Sequence, residues 1–327
     1  MQTTALILGS VSIRYSGILL FLAAASGCCL FLGLQRQRRK NLSAPALLLS
    51  LGLLLSLPLS RLLHWYSNTS QYASLGAALT ELNSGGFVAP GVFAAFLLSA
   101  LLLYLTGGLK RLSTVLDDLG CAGALAAAVG KLACCFSPVC RSKFTLEGVF
   151  FRRLPFMVSS TLSNGATEWR IATFCLQSIA YFIICALAFF QIKRKKRAGD
   201  TFALTLSLMG AVQVVLDSTR YDAAYFRSNG FVSITQVFCV AALLGALVFF
   251  SVRSVKSAGG VKRRHILLWV LWAVCAGVGG YCEYYVQRHA GLFLPTYAVM
   301  ESCFLLCHII NCVMSRSLNS SLLTPHS

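Results

Sequence analysis

Lys131 stands in the stretch Gly130-Lys131-Leu132-Ala133-Cys134-Cys135-Phe136, and Asp217 and Arg220 stand in Leu216-Asp217-Ser218-Thr219-Arg220-Tyr221-Asp222, both embedded in long apolar runs. A charge in or near hydrocarbon costs roughly 3 kcal/mol on insertion scales, so it is kept where a partner, water or a charged substrate meets it. A cation so placed can receive a lipid phosphate or polarise an ester, because charge acts more strongly in a low-dielectric cleft than in water. Asp217 and Arg220 are three apart and share one face of a helix, where they can pair. Gln213 lies one turn before Asp217 on the same stripe, so a polar face extends into the span. Plainer readings stand beside these. Lys131 can snorkel its stem to the interface, and Asp217 with Arg220 can simply close a span. A pairing of Lys131 with Asp217 would reconcile the two, since a buried charge needs a partner.

Further polar candidates are weaker. Arg61 and His64, again three apart, precede Trp65 and Tyr66, which read as an interfacial aromatic belt; the pair is a candidate head-group contact. Glu81-Leu82-Asn83-Ser84-Gly85-Gly86 leads into Pro90-Gly91, where Gly85 and Gly86 permit irregular backbone and close lipid approach. Asp117 and Asp118 open a span and read as charges favouring its N-terminal dipole. Glu283-Tyr284-Tyr285 suits an interfacial belt. Cys303, Cys307, His308 and Cys312 share a helix face but lack the polar shell a metal needs, so neither metal nor cofactor is expected.

The elements that must carry these residues follow from composition. The chain has 327 residues, 57% of them hydrophobic and 12% charged, with a mean hydropathy of +0.73. That is an integral membrane protein, all-α, a polytopic helix bundle. The net charge of +18 sits in short clusters between apolar segments rather than on one basic face, which argues against nucleic acid. About 20 apolar residues cross the hydrocarbon. Nine spans are expected on that rule, at 16 to 34, 45 to 63, 87 to 106, 117 to 136, 171 to 192, 201 to 219, 231 to 252, 266 to 285 and 293 to 314. The fourth is weakened by Lys131, and the eighth is broken by Gly277, Gly279 and Gly280.

Arg36, Arg38, Arg39 and Lys40 follow the first span, Lys110 and Arg111 the third, Lys193 to Arg197 the fifth, and Arg253, Lys256, Lys262, Arg263 and Arg264 the seventh. Short basic loops stay in the cytoplasm, which puts the N-terminus outside and the C-terminus inside. The segment 137 to 170 breaks the pattern with Arg141, Lys143, Arg152, Arg153 and Arg170, and reads either as a solvated loop over anionic head groups or as an outer lid. Only Arg14 precedes the first apolar stretch, so no cleaved signal peptide is expected. Most of the 14 cysteines lie within apolar runs as small hydrophobes, leaving Cys134, Cys135 and Cys140 as the candidates for a disulfide.

In order, an Arg-Leu ending the second span, Gly-Gly-Phe with a Gly following at the third, Asp-Asp before a Gly-Lys-Leu-x-Cys span end, Gly199-Asp200 leading into a polar-faced sixth span, and Gln236 early in the seventh resemble the prolipoprotein diacylglyceryl transferase family. The resemblance covers about residues 16 to 252. It divides the chain into a transferase-like membrane domain, 1–255, and an extra C-terminal pair of spans, 256–327. It implies transfer of a diacylglyceryl group from phosphatidylglycerol to the lipobox cysteine of a prolipoprotein at the bacterial cytoplasmic membrane. Partners would be phosphatidylglycerol or another anionic phospholipid and the prolipoprotein signal peptide. On this mapping Lys131, Asp217 and Arg220 take the catalytic positions, with Arg61, His64, Gly85, Gly86, Gln213 and Gln236 in substrate contact. The chain departs from the family at Pro90, where a His or Tyr is usual, at Gln213, where an Arg is usual, and at Thr167-Glu168-Trp169-Arg170, which replaces a His-Pro-x-Gln-Leu-Tyr-Glu segment. Two readings follow, a transferase and a silent relative that binds or moves anionic lipid or assists another membrane protein. A transporter is a third, but no internal repeat supports it.

Overall fold

The computed structural model describes residues 4–8, 11–38, 41–80, 86–136, 141–145, 152–161, 167–194, 197–220, 225, 232–289 and 293–320. In lipid every backbone N–H and C=O must be satisfied internally, so the apolar runs fold as helices. These are α1 (Tyr15–Arg38), α2 (Ser43–Ser67), the short α3 (Leu75–Thr80), α4 (Ala89–Leu105), α5 (Leu112–Leu132, followed by a 3-10 turn to Phe136), α6 (Thr173–Lys193), α7 (Asp200–Ser218), α8 (Ile234–Ser257), α9 (Arg263–Arg288) and α10 (Phe293–Ser320). Among the described residues, eight of these helices are long and apolar enough to cross a membrane. The third expected span is α4, whose 17 residues rise about 26 Å, the short end of what crosses hydrocarbon. Pro90 lies in the first turn of α4, where an N–H would have no helical partner anyway.

Two expectations are corrected. α9 runs unbroken through Gly277, Gly279 and Gly280, because its backbone bonds have no water to exchange with; Gly279 instead makes room for the Phe304 ring, which a Cβ would meet at 2.9 Å. α5 starts at Leu112 and has no acidic residue in its first turn, so Asp117 and Asp118 sit a turn inside it. Asp117 serves a different helix. Its carboxylate accepts from the backbone N–H of Gly199 and of Phe202, each at 2.8 Å, capping the N-terminus of α7. Asp118 accepts from Gln35 Nε2 at 2.7 Å and pairs with Arg38 at 3.0 Å. Arg253 pairs with Asp200. The ends of α1 and α8 and the starts of α5 and α7 are thereby tied at one end of the bundle, the end carrying the basic loops. Asp117→Ala is expected to remove about 1 to 2 kcal/mol of stability as a lost cap, read as a lower midpoint in detergent thermal unfolding, with Asp117→Asn losing less.

Three apolar cores lie side by side. One joins α1, α2, α4 and α5 around Phe31, Leu48 and Val115. A second joins α1, α5 and α6 with Met209 of α7. The third packs α7 and α8 against the C-terminal pair, with Phe250, Leu243, Trp272, Met300 and Phe304 in one cluster. The exposed surface is itself apolar, for example Phe21, Leu54, Leu105, Phe190 and Leu267, as a lipid-facing surface must be.

Two short antiparallel hairpins complete the described chain: β1 (Thr4–Leu8) with β2 (Val11–Arg14), and β3 (Met157–Thr161) with β4 (Thr167–Ile171). The second belongs to the basic segment. Its cations hold their own surroundings, Arg170 pairing with Glu168 at 2.9 Å and Arg141 donating to the Ser159 carbonyl at 2.8 Å. Ser142 N donates to Ile171 O at 3.0 Å and Lys143 N to Thr219 O at 2.8 Å, so the segment is strapped to the start of α6 and the end of α7. The described cysteines are free, Cys134 and Cys135 among them; Cys140 lies outside the described residues.

Candidate functional site

α7 is the most enclosed of the membrane-length helices, with 67% of its apolar window buried, so its polar stripe faces protein rather than lipid. Gln213 Oε1 accepts from Tyr181 OH at 2.7 Å and from Gln177 Nε2 at 3.2 Å, both on α6. Gln213 Nε2 donates to Asp217 Oδ1 at 3.4 Å, and Arg220 Nη1 stands 3.7 Å from the same oxygen. Asp217 Oδ2 accepts from the Ser233 hydroxyl. Asp217 is 2% exposed, and this ring of donors is what makes a carboxylate tolerable there.

Ser233 is the N-cap of α8. Its Oγ accepts from Gln236 N at 3.0 Å while Ser233 N donates to Gln236 Oε1 at 2.8 Å, a reciprocal capping box. Gln236 Nε2 donates to Val214 O at 3.2 Å. Gln236, expected to touch substrate, is therefore engaged at both ends of its amide in joining α8 to α7. Lys131 lies half-buried near the end of α5. α5 packs along α7, and Lys131 near the end of α5 and Asp217 near the end of α7 each lie toward the end of their helix away from the basic loops. Gln213, Asp217 and Arg220 form one bonded network, and Lys131, on the neighbouring α5, lies toward the same end of the bundle, opposite the basic loops.

Arg61, His64 and Gly86 form a second group. Arg61 is only 1% exposed; its Nε donates to Ala78 O at 2.7 Å, and its Nη1 to Tyr72 OH at 3.2 Å and Gly86 O at 3.4 Å. The guanidinium also lies over the Tyr72 and Phe87 rings, at 5.3 and 5.6 Å. His64 Nδ1 is 2.9 Å from Tyr72 OH. Gly86 has φ of +78, and a Cβ there would meet His64 Nδ1 at 2.7 Å and Arg61 Nη1 at 2.9 Å, so this turn needs glycine twice over. Arg61 is thus the post around which α3 and the turn into α4 are wound. Gly85 lies outside the described residues.

Several polar residues escaped the sequence reading. Gln177 and Tyr181 are single polar groups in an apolar helix, and Ser233 is visible only as a cap. Glu283, read as part of an aromatic belt, is 5% exposed whereas its neighbour Tyr284 is 45% exposed. It belongs to a cluster that continues from the α7 stripe. Ser218 Oγ lies 3.0 Å from Tyr297 OH of α10 and takes Gln287 Nε2 of α9 at 3.4 Å. Gln287 Nε2 also donates to Glu283 Oε1 at 2.8 Å, and Lys143 Nζ donates to Gln287 Oε1 at 3.0 Å. Outside the spans, burial raises the pKa of Tyr225, with the charges of Glu283 and Asp217 adding to it. One phenol thus senses both carboxylates. Among the described residues no group of three His, Cys, Asp or Glu side chains could hold a metal ion.

A family model described as prolipoprotein diacylglyceryl transferase matches residues 3–252. No curated protein matches the chain. The match takes in the catalytic and substrate-contact candidates from Arg61 to Gln236 and stops within α8, before the two C-terminal helices that carry Glu283.

Proposed function

The chain belongs to the prolipoprotein diacylglyceryl transferase family, and we propose that it is a membrane-embedded transferase moving a diacylglyceryl group from phosphatidylglycerol, or another anionic phospholipid, to the lipobox cysteine of a prolipoprotein. The setting is the bacterial cytoplasmic membrane, with the N-terminus outside, the C-terminus cytoplasmic and the site at the outer ends of the helices. The observation that carries this reading is the network of Gln213, Asp217 and Arg220 around a buried carboxylate near the end of α7.

In the reaction the thiolate sulfur forms a C–S bond to the diacylglyceryl carbon as the C–O bond to phosphate breaks, and glycerol phosphate leaves with one more negative charge. That charge needs cations where it develops. Lys131 and Arg220 supply them. Asp217, fixed by Ser233 and Gln213, orients the Arg220 guanidinium. The same two cations favour ionisation of the incoming thiol, whose proton passes to interfacial water. Arg61 organises the turn ahead of α4, at the same end of the helices, and positions the half-buried His64 as an accessory head-group contact.

A second reading, a silent relative that binds or moves anionic lipid, is favoured by one feature. The neutral amide of Gln213, where the family has an arginine, is already engaged by Tyr181, Gln177 and Asp217. Complementation of a transferase-depleted bacterium separates the two. Rescue, with thioether-linked diacylglyceryl on a reporter prolipoprotein, supports the transferase. A properly inserted chain that binds phosphatidylglycerol and forms no thioether product overturns it in favour of the second reading.

A further inference from the structure

The two C-terminal helices bring a buried acidic group to the site. Glu283 of α9 is 5% exposed. Its Oε1 accepts from Gln287, but its Oε2 is buried with no hydrogen-bond partner among the described residues. A carboxylate oxygen left so is costly, and a donor arriving from outside the protein relieves the cost. The cluster around it is continuous with the α7 site: Ser142 bridges to Arg220, Lys143 follows and donates its N–H to Thr219 O, and Ser218 touches both Gln287 and Tyr297.

Electrostatics sets the kind of donor. Lys143, outside the spans, has its pKa lowered by burial, an effect that the charge of Glu283 opposes. Lys143 Nζ donates to Gln287 Oε1 and Gln287 Nε2 to Glu283 Oε1, so one ammonium already stands beside this carboxylate. A second ammonium from a ligand would be left without a counter-charge, whereas a neutral hydroxyl satisfies Oε2 and leaves the balance intact. Gln287, Ser218 and Tyr297 add neutral groups able to meet further hydroxyls.

We propose that Glu283, with Gln287, Ser218 and Tyr297, forms a subsite for the hydroxyl-bearing head group of an anionic phospholipid whose phosphate lies at Arg220, so that the C-terminal pair sets head-group selectivity. This rests on the transferase-type lipid site of the preceding section, but its test reads binding rather than transfer.

The full chain in lipid nanodiscs is titrated with phosphatidylglycerol, phosphatidylethanol, which keeps the singly charged phosphodiester without a head-group hydroxyl, and phosphatidylethanolamine, with occupancy read by native mass spectrometry. Phosphatidylglycerol is expected to bind about 10-fold better than phosphatidylethanol, the usual scale for one hydrogen bond to a charged group. Glu283→Leu removes the preference without weakening phosphatidylethanol binding, and Glu283→Gln, which puts an amide donor in place of the open acceptor, narrows it. Equal binding of phosphatidylglycerol and phosphatidylethanol by the unaltered chain overturns the proposal even if neither variant folds. So does a preference for phosphatidylethanolamine, or a folded Glu283→Leu chain that keeps full selectivity. Selective binding with no thioether product sinks the transferase reading alone, while thioether product without head-group selectivity sinks this proposal alone.

Discussion

Lys131→Ala and Arg220→Ala are each expected to lower diacylglyceryl transfer by about 10²- to 10³-fold, the usual effect of removing one preorganised charge from a developing anion, and to abolish complementation. The two effects arise differently. Lys131 lies near the end of α5, so its removal takes away a point charge and leaves the α7 network in place. Arg220 closes α7 against Asp217, and its removal leaves a 2% exposed carboxylate with Ser233 and Gln213 as partners. Arg220→Lys separates charge from geometry: a lysine restores the cation but not the planar fork, so transfer recovers only in part. Size-exclusion profiles and thermal midpoints of the purified variants show whether the chain stays folded. Folded variants that keep full transfer would remove both cations from the mechanism.

Gly91→Leu is expected to destabilise the protein by about 3 kcal/mol or more, the upper range for overpacking a tight contact. Gly91 in the first turn of α4 lies directly on α2; a Cβ there would stand 2.6 Å from Ser60 N and 2.8 Å from Leu59 C. Backbone on backbone cannot yield by a side-chain rotation. The contact is pinned by Ser60 Oγ, which donates to Val88 O at 2.8 Å and accepts from Val88 N at 2.7 Å. Forcing the helices apart also displaces Arg61, the next residue of α2, and the α3 turn it holds. Detergent unfolding should show a large fall in midpoint for Gly91→Leu and a smaller one for Gly91→Ala. The equivalent change at Gly107, around which nothing lies within 4 Å, meets no packed neighbour, although its positive φ adds a conformational cost of its own.

Much of the candidate site was legible because charge in an apolar run is conspicuous. Lys131, Asp217 and Arg220 stand out by type alone, and the spacing of Gln213 to Asp217 foretold a shared stripe. Residues that are ordinary by type were not legible. Tyr181 reads as any aromatic in a span, yet it holds Gln213 at 2.7 Å. Gln236 stood in the resemblance as a substrate contact, while its amide caps α8 and grips α7. Glu283 was hidden by its neighbours: beside two tyrosines near a span end it resembles a belt, and only the rotation of α9 about its axis turns it inward. Asp117 and Asp118 were misplaced because α5 begins five residues before Asp117, and the partner of Asp117, the start of α7, is 82 residues along the chain from it.

The sequence alone determined that this is a helical membrane bundle, roughly where each span lies, and which charges are out of place, because hydrocarbon forces every backbone to bond within itself and penalises each ion separately. Those are local constraints, readable one segment at a time. The tertiary structure decided which polar groups meet. It placed Asp217 between Gln213, Arg220 and Ser233, gave Asp117 to the start of α7, and brought Glu283 from outside the family's span of sequence to the edge of the same site. Such meetings depend on the rotation and neighbours of each helix, set by long-range contacts such as Gly91 on Ser60 and Gly210 on the Cys239 carbonyl, which no single segment encodes.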